Sequence, residues 1–274
     1  MTKTPIGIVG IAAIAALIAA PAYAADMSPP PALKAPPPPP VPIWTGCYID
    51  GGVGYGMWNI DHTTETNPGL VQLSESQTDG GRGWLGRVGG GCDYQFPVSG
   101  VGDFVIGAFG DYDFMSLTGT LNDPNVGLGG VFGPATSANL RENGAWYAGG
   151  RIGYLPYPNL MTFVSGGWTE TQFNQGQFGF LTTPASTLTG IGVAAQTYNG
   201  WFVGGGYEYA VPWFRGLFWK TEYRYAQYQA ADVPFFVTAT GAANGFGQND
   251  RPSVQTVTTS LVWKFNWAAP GVHW

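Results

Sequence analysis

From Trp44 onward, apolar and polar residues alternate in eight stretches, roughly 45–58, 82–96, 102–116, 144–156, 160–174, 198–211, 215–228 and 254–267. Successive side chains of a strand point to opposite faces, so each stretch predicts a β-strand with one apolar and one polar row. In "LFWKTEYRY", Leu217, Trp219, Thr221, Tyr223 and Tyr225 form one row, and Lys220, Glu222 and Arg224 form the other. In the third stretch Phe104, Ile106, Ala108, Tyr112 and Phe114 oppose Asp111 and Asp113. In the last, Val257, Thr259, Leu261, Trp263, Phe265 and Trp267 oppose Ser260 and Lys264.

The links between the stretches alternate in length. Three are short, carrying "PVSG", "PYPN" and "PWFRG"; the other four run about 23–27 residues and are rich in Gly, Asn, Thr and Ser. Compact soluble domains rarely carry several such loops. A transmembrane barrel has short periplasmic turns and long outer loops in this order, and an even strand number leaves both ends in the periplasm. The expected fold is therefore all-β: an eight-stranded antiparallel transmembrane β-barrel with four long outer loops.

Composition supports a lipid-facing exterior. Only 10% of the 274 residues are charged while 15% are aromatic, against roughly 25% charged in an ordinary soluble domain. The aromatic rows are too many to share one small core, so they are assigned to lipid and to the interfacial belts. The polar rows then converge inside the barrel. They bring together the acids Asp50, Asp93, Asp111, Asp113, Glu208 and Glu222 and the bases Arg87, Arg151, Lys220, Arg224 and Lys264, which nearly cancel and must pair. Asp111 and Asp113 are expected to pair with Arg87 and Arg151. Glycine runs such as "GGVGYG" and "GRVGGG" leave room for these long side chains.

The N-terminus carries Lys3, an apolar run from Ile6 to Ala20 and the small-residue stretch "APAYAAD", which reads as a secretory leader, residues 1–24, cleaved after Ala24. The proline-rich segment 25–43 favours an extended polyproline tether in the periplasm, with peptidoglycan or another periplasmic component as a contact. The barrel domain is assigned to 44–267 and a C-terminal extension to 268–274. The net charge of −6, with no basic patch, excludes nucleic acid as a partner.

Cys47 and Cys92 fall near the periplasmic end of the first two strands and on one face. A cross-strand disulfide and a pair of lipid-facing thiols both fit this placement. No metal site or other cofactor is expected, because His62 and His273 are the only histidines to join two cysteines. No histidine falls in a predicted strand, and no nucleophile with its base is visible, so enzymatic activity is not expected. The loop acids Asp61, Glu65, Glu75, Asp79, Asp123, Asp232 and Asp250 outnumber Arg82, Arg141 and Arg251. This imbalance suggests a cation-bridged association with lipopolysaccharide or with a cell-surface partner.

"WTGCYIDGGVGYG", "GRVGGGCDYQF" and the closing "VTTSLVWKFNW" resemble the strands of the Omp25/Omp31-like outer-membrane proteins of alphaproteobacteria, in the OmpA-like small β-barrel superfamily. The likeness runs from Trp44 to Trp267 and is most specific at Trp44, Thr45, Gly46, Tyr48, Gly51, Gly52 and Gly54. It implies a surface-exposed barrel of the Gram-negative outer membrane, in contact with outer-membrane lipid and the barrel-assembly machinery, and serving envelope integrity. The alternative it carries is a narrow porin-like channel for small solutes. Asp50 stands where the family favours Gly, and Cys47 and Cys92 where it has ordinary strand residues. The chain also runs past its last strand by "AAPGVHW", whereas family members commonly end on an aromatic.

Overall fold

The computed structural model describes residues 42–123, 136–181 and 187–265. The leader, nearly all of the proline-rich segment, Trp267 and the C-terminal extension lie outside the described residues.

The described chain is one antiparallel sheet of eleven strands: β1 (Gly46–Thr66), β2 (Gln77–Val98), β3 (Gly102–Asp123), β4 (Thr136–Tyr157), β5 (Leu160–Phe173), β6 (Gly176–Phe180), β7 (Leu188–Val193), β8 (Gln196–Ala210), β9 (Leu217–Tyr228), β10 (Ala231–Val237) and β11 (Ala243–Phe265). The ring β1-β2-β3-β4-β5-β8-β9-β11 closes through the β1–β11 ladder, which runs in unbroken register from Cys47↔Phe265 to Thr66↔Phe246. This is the eight-stranded barrel that the alternation predicts. Its three short turns lie at 99–101, 158–159 and 211–216.

The four long links are mostly strand rather than loop. β1 continues to Thr66 and β2 begins at Gln77, while β3 reaches Asp123 and β4 starts at Thr136. On the other side of the barrel, β5 and β6 form one wall strand interrupted at 174–175. The pairs β7/β8 and β9/β10 are interrupted at 194–195 and 229–230. Above these breaks a second ring, β1-β2-β3-β4-β6-β7-β10-β11, continues the first through β4–β6, β6–β7, β7–β10 and β10–β11 pairing. The longest strands hold 21–23 residues. A tilted strand needs only about 9–11 to cross a bilayer, so roughly half of the wall stands beyond it.

The outer surface shows where that border lies. Ile49, Val53, Tyr55 and Met57 are exposed on β1, Trp84, Val88 and Tyr94 on β2, and Ile106 and Phe114 on β3. On the other side stand Trp146, Ile152 and Tyr154, Val164 and Trp168, Trp201 and Tyr207, Trp219 and Tyr223, and Val257, Leu261 and Phe265. Each strand thus presents an apolar band of roughly ten residues, the length a crossing requires. Tyr55, Trp84, Trp146, Trp168 and Trp201 mark its upper edge; Tyr94, Tyr154, Tyr209, Trp219 and Trp263 mark its lower one. Aromatic girdles at both membrane surfaces have this arrangement. Above the upper girdle the outward row becomes Asp61, Thr118, Arg141, Asn199 and Arg251, all exposed.

Strand extension corrects several placements. His62 lies in β1, contrary to the expectation that no strand holds a histidine. Asp61, Glu65, Asp79, Asp123, Asp232 and Asp250 are also strand residues, and Glu65, Asp123 and Asp250 are buried rather than solvated. A register shift in β4 contributes to the difference. Gly144 and Ala145 are buried in succession, so the outward parity passes from Trp146 to Asn143, Arg141 and Asn139, and Glu142 turns inward.

Candidate functional site

All eleven predicted interior charges point into the barrel and are buried, from Asp50 at 8% exposed to Asp113 and Glu208 at 0%. They divide into two clusters at different heights. In the upper one Arg87 grips Asp113 with both Nε and Nη2, at 2.6 and 2.7 Å. Its Nη1 donates to Glu222 and to Thr258 Oγ1, at 3.1 and 3.0 Å. Arg224 grips Asp111 at 2.7 and 2.8 Å and also donates to Glu222 at 2.8 Å. Ser165 donates to the other oxygen of Glu222 at 2.8 Å. This forked geometry is what planar guanidinium and carboxylate groups favour when water is excluded.

In the lower cluster Arg151 grips Asp93 at 2.9 and 2.5 Å and reaches Glu208 at 2.9 Å. Lys264 bridges the same two acids at 2.7 and 3.1 Å, and Lys220 pairs with Asp50 at 2.5 Å. Arg151 therefore takes Asp93 and Glu208 rather than Asp111 or Asp113. The structural cause is register: Arg151 faces Gly107 across the β3–β4 ladder, four residues from Asp111, and Asp93 fills the space that Gly107 leaves. Close packing recurs at Gly89, where an added Cβ would meet Asp111 Cβ at 2.5 Å and Asp50 Oδ1 at 3.0 Å.

Aromatic rings line the cations, and the sequence reading did not assign them. Tyr48 lies under Arg151 at 4.7 Å, Tyr147 under Arg224 at 4.9 Å, and Trp44 beside Lys264 at 4.9 Å. Such contacts favour a desolvated cation. Tyr48 shares the parity of Asp50, so its inward direction was readable from alternation alone.

Apolar layers cap the charges from both sides. Toward the short turns, Trp44, Tyr48, Val105, Leu155, Met161, Phe163, Phe218 and Val262 pack together. Trp44 is fixed by an Nε1 hydrogen bond to Pro158 O, 3.1 Å. Toward the other rim a larger core fills the upper ring with Trp58, Ile60, Leu117, Leu121, Phe173, Phe178 and Phe235 among others. At the mouth above it, His62 Nε2 lies 2.9 Å from Asp79 and its Nδ1 3.2 Å from Gln248 Nε2. Thr64 donates to Asp123, and Tyr198 to Asp250. Burial pushes the Asp250 carboxyl up to about 7, with Asp123 and Glu65 adding repulsion and Tyr198 opposing it. Burial likewise lifts Glu142 to about 8, against a hydrogen bond from Thr171.

Cys47 and Cys92 face each other directly across β1 and β2 and are joined as a disulfide on the outward side of the lower wall. Among the described residues no group of three or more His, Cys, Asp and Glu side chains is arranged to hold a metal, and no helix is long and apolar enough to cross a membrane.

No protein-family profile matches the chain, and no curated protein does. Among solved structures it is similar to the outer membrane protease OmpT from Escherichia coli, at 12% identity over 80% of this chain and 97% of that one, TM-score 0.44. It is also similar to Neisserial surface protein A, at 14% identity over 81% and 98%, TM-score 0.33. A third is the attachment invasion locus protein Ail of Yersinia pestis, at 6% identity over 78% and 99%, TM-score 0.29. The closed barrel and its apolar band are those of a Gram-negative outer-membrane protein. The protein resides in that membrane.

Proposed function

We propose that the protein is a surface-exposed structural barrel that contributes to envelope integrity, and that it belongs with the Omp25/Omp31-like proteins. The observation that carries the structural role is the filled lumen: an apolar layer, two charged clusters and a second apolar layer follow one another along the axis. An eight-stranded barrel is just wide enough for side chains to fill it, whereas open general channels use about 16–18 strands. The narrow-porin reading would require both apolar layers to part. On this reading the barrel anchors the tall upper wall at the cell surface. The assembly machinery would insert it, and the proline-rich segment would reach toward peptidoglycan.

The reading is also non-catalytic. His62 and Asp79 form a base and its orienting acid, but the hydroxyl placed beside them, Thr64, is committed to Asp123.

Planar-bilayer recording from refolded mature protein tests the proposal, with folding established beforehand by a heat-modifiable gel shift. Inserted protein should show no unitary current steps. Stable steps from folded protein would replace the anchor with a narrow channel.

A further inference from the structure

The chain has few bases, and most of those in the barrel are consumed inside it. Two that remain outside stand together. Arg82 on β2 lies directly opposite Thr118 on β3, and Thr118 lies directly opposite Arg141 on β4. All three are exposed. At about 4.8 Å between neighbouring strands, the two arginine backbones are about 10 Å apart. Their guanidinium groups can therefore converge on one ligand.

The outward neighbours of this row contain no acid. They are Met57 across from Arg82, Gly80 and Trp84 along β2, Ser116 and Thr120 along β3, and Asn139 and Asn143 along β4. Neither arginine makes an ion pair among the described residues, although acids outnumber bases in the chain as a whole. Arg251 makes no ion pair among the described residues either, but it stands directly opposite an acid, Asp61, across β1 and β11, and neither Arg82 nor Arg141 has such a neighbour. Arg141 owes its outward position to the β4 register shift; with unbroken parity it would face the core. Bulges commonly re-aim a side chain in this way.

The row sits just above Trp84, Phe114 and Trp146, at the upper edge of the apolar band. That is headgroup height. A groove of about 410 Å3 runs beside it, lined by Thr118, Gly119, Thr120, Asn139, Leu140 and Arg141. Two guanidinium forks with the Thr118 hydroxyl between them and the Asn139 amide beside Arg141 match the non-bridging oxygens of phosphate. We propose that Arg82, Thr118 and Arg141 form an exterior binding site for the phosphate groups of an outer-leaflet lipid. The inference rests on the surface-barrel reading above and replaces a cation bridge through loop acids with direct contact.

The test uses the refolded mature protein in neutral detergent, titrated with lipopolysaccharide, with the same lipid after chemical dephosphorylation, and with inorganic phosphate. Each arginine lost should weaken binding of the phosphorylated lipid about tenfold, the value of a charge-assisted hydrogen bond. Arg82→Gln with Arg141→Gln should bind it no better than wild type binds the dephosphorylated lipid. Arg82→Lys with Arg141→Lys, which keeps the charges and loses the forks, should fall between. Arg251→Gln should bind as wild type does. Four results would overturn the site: unchanged affinity in both double variants, equal affinity for the dephosphorylated lipid, displacement of the lipid by millimolar inorganic phosphate, or an equal loss in Arg251→Gln. Folding is read by gel shift and conduction by bilayer recording, so failure of the surface-barrel reading registers separately from failure of this site.

Discussion

The lower and upper halves of the wall are built from the same strands, yet their polarity is reversed. Within the apolar band, β1 turns Val53, Tyr55 and Met57 outward and Asp50 inward; above it, Asn59 and Asp61 face out and Trp58 and Ile60 are fully buried. β3 passes from Phe114 outside and Asp113 inside to Thr118 outside and Leu117 and Leu121 inside. β11 passes from Leu261 and Val257 outside to Arg251 outside and Val254 inside. The reversal follows the solvent on each side. Lipid requires apolar groups outside and leaves the lumen to paired charges, whereas water outside restores an ordinary apolar core. The two halves therefore have different weak points: an unpaired charge below, and a buried acid near the mouth above.

The largest effect should come from the lower half. The upper charged cluster holds three acids, Asp111, Asp113 and Glu222, against two bases, Arg87 and Arg224. Arg224→Met leaves Asp111 and Glu222 sharing what Arg87 can spare, and should destabilise the barrel by about 3–5 kcal/mol, the usual consequence of stranding a buried charge. Glu222→Gln leaves one base for each remaining acid and should cost much less. Urea unfolding in detergent, followed by tryptophan fluorescence, separates the two. Equal losses would show that pairing does not govern the lumen.

A comparable but pH-dependent effect belongs to the upper half. Asp250 is buried among Tyr198, His62, Asp123 and Glu65, with its carboxyl raised from 3.8 to about 7. Between those values the folded chain holds a proton that the unfolded chain has released, so stability is fully present below about 4 and falls as pH rises to about 7. The loss is at most about 4 kcal/mol for a shift of roughly three units. Asp250→Asn should flatten this slope and leave the protein more stable than wild type at pH 8. The urea midpoint, measured from pH 4 to 8, reads both effects. A wild-type midpoint that rises across this range would oppose the assignment.

Alternation made the lower half legible because its rows differ so sharply: Lys220, Glu222 and Arg224 against Trp219, Tyr223 and Tyr225 allow one reading only. The upper half keeps the same period, but small polar residues such as Thr118, Thr120, Asn139 and Ser253 occupy its outer row, and they resemble loop composition. Interruptions at 174–175, 194–195 and 229–230 break three of its strands, and the parity change at Gly144 and Ala145 breaks the pattern on a fourth. Pairing partners inside the lumen were legible only in part: Arg87 takes Asp113 as expected, and Arg151 does not. Arg151 meets Asp93 and Glu208 through barrel curvature and stagger, which a single strand's pattern does not encode.

The border between the halves can be tested on one strand. Leu261 and Ser253 both lie on the outward row of β11, Leu261 in the middle of the apolar band and Ser253 above it. Leu261→Arg places a charge against lipid and should cost about 2–4 kcal/mol, the usual value near the bilayer midplane. Ser253→Arg places the same side chain in water and should stay within about 0.5 kcal/mol of wild type. Unfolding from lipid vesicles gives both numbers under one condition. If Ser253→Arg cost as much as Leu261→Arg, the apolar band would extend beyond the aromatic girdle, and the polar exterior of the upper wall would need a partner to explain it. If both were mild, the outward row of β11 would not face lipid at all. A large difference would place the membrane surface within the seven residues between them, where Val257 gives way to Gln255.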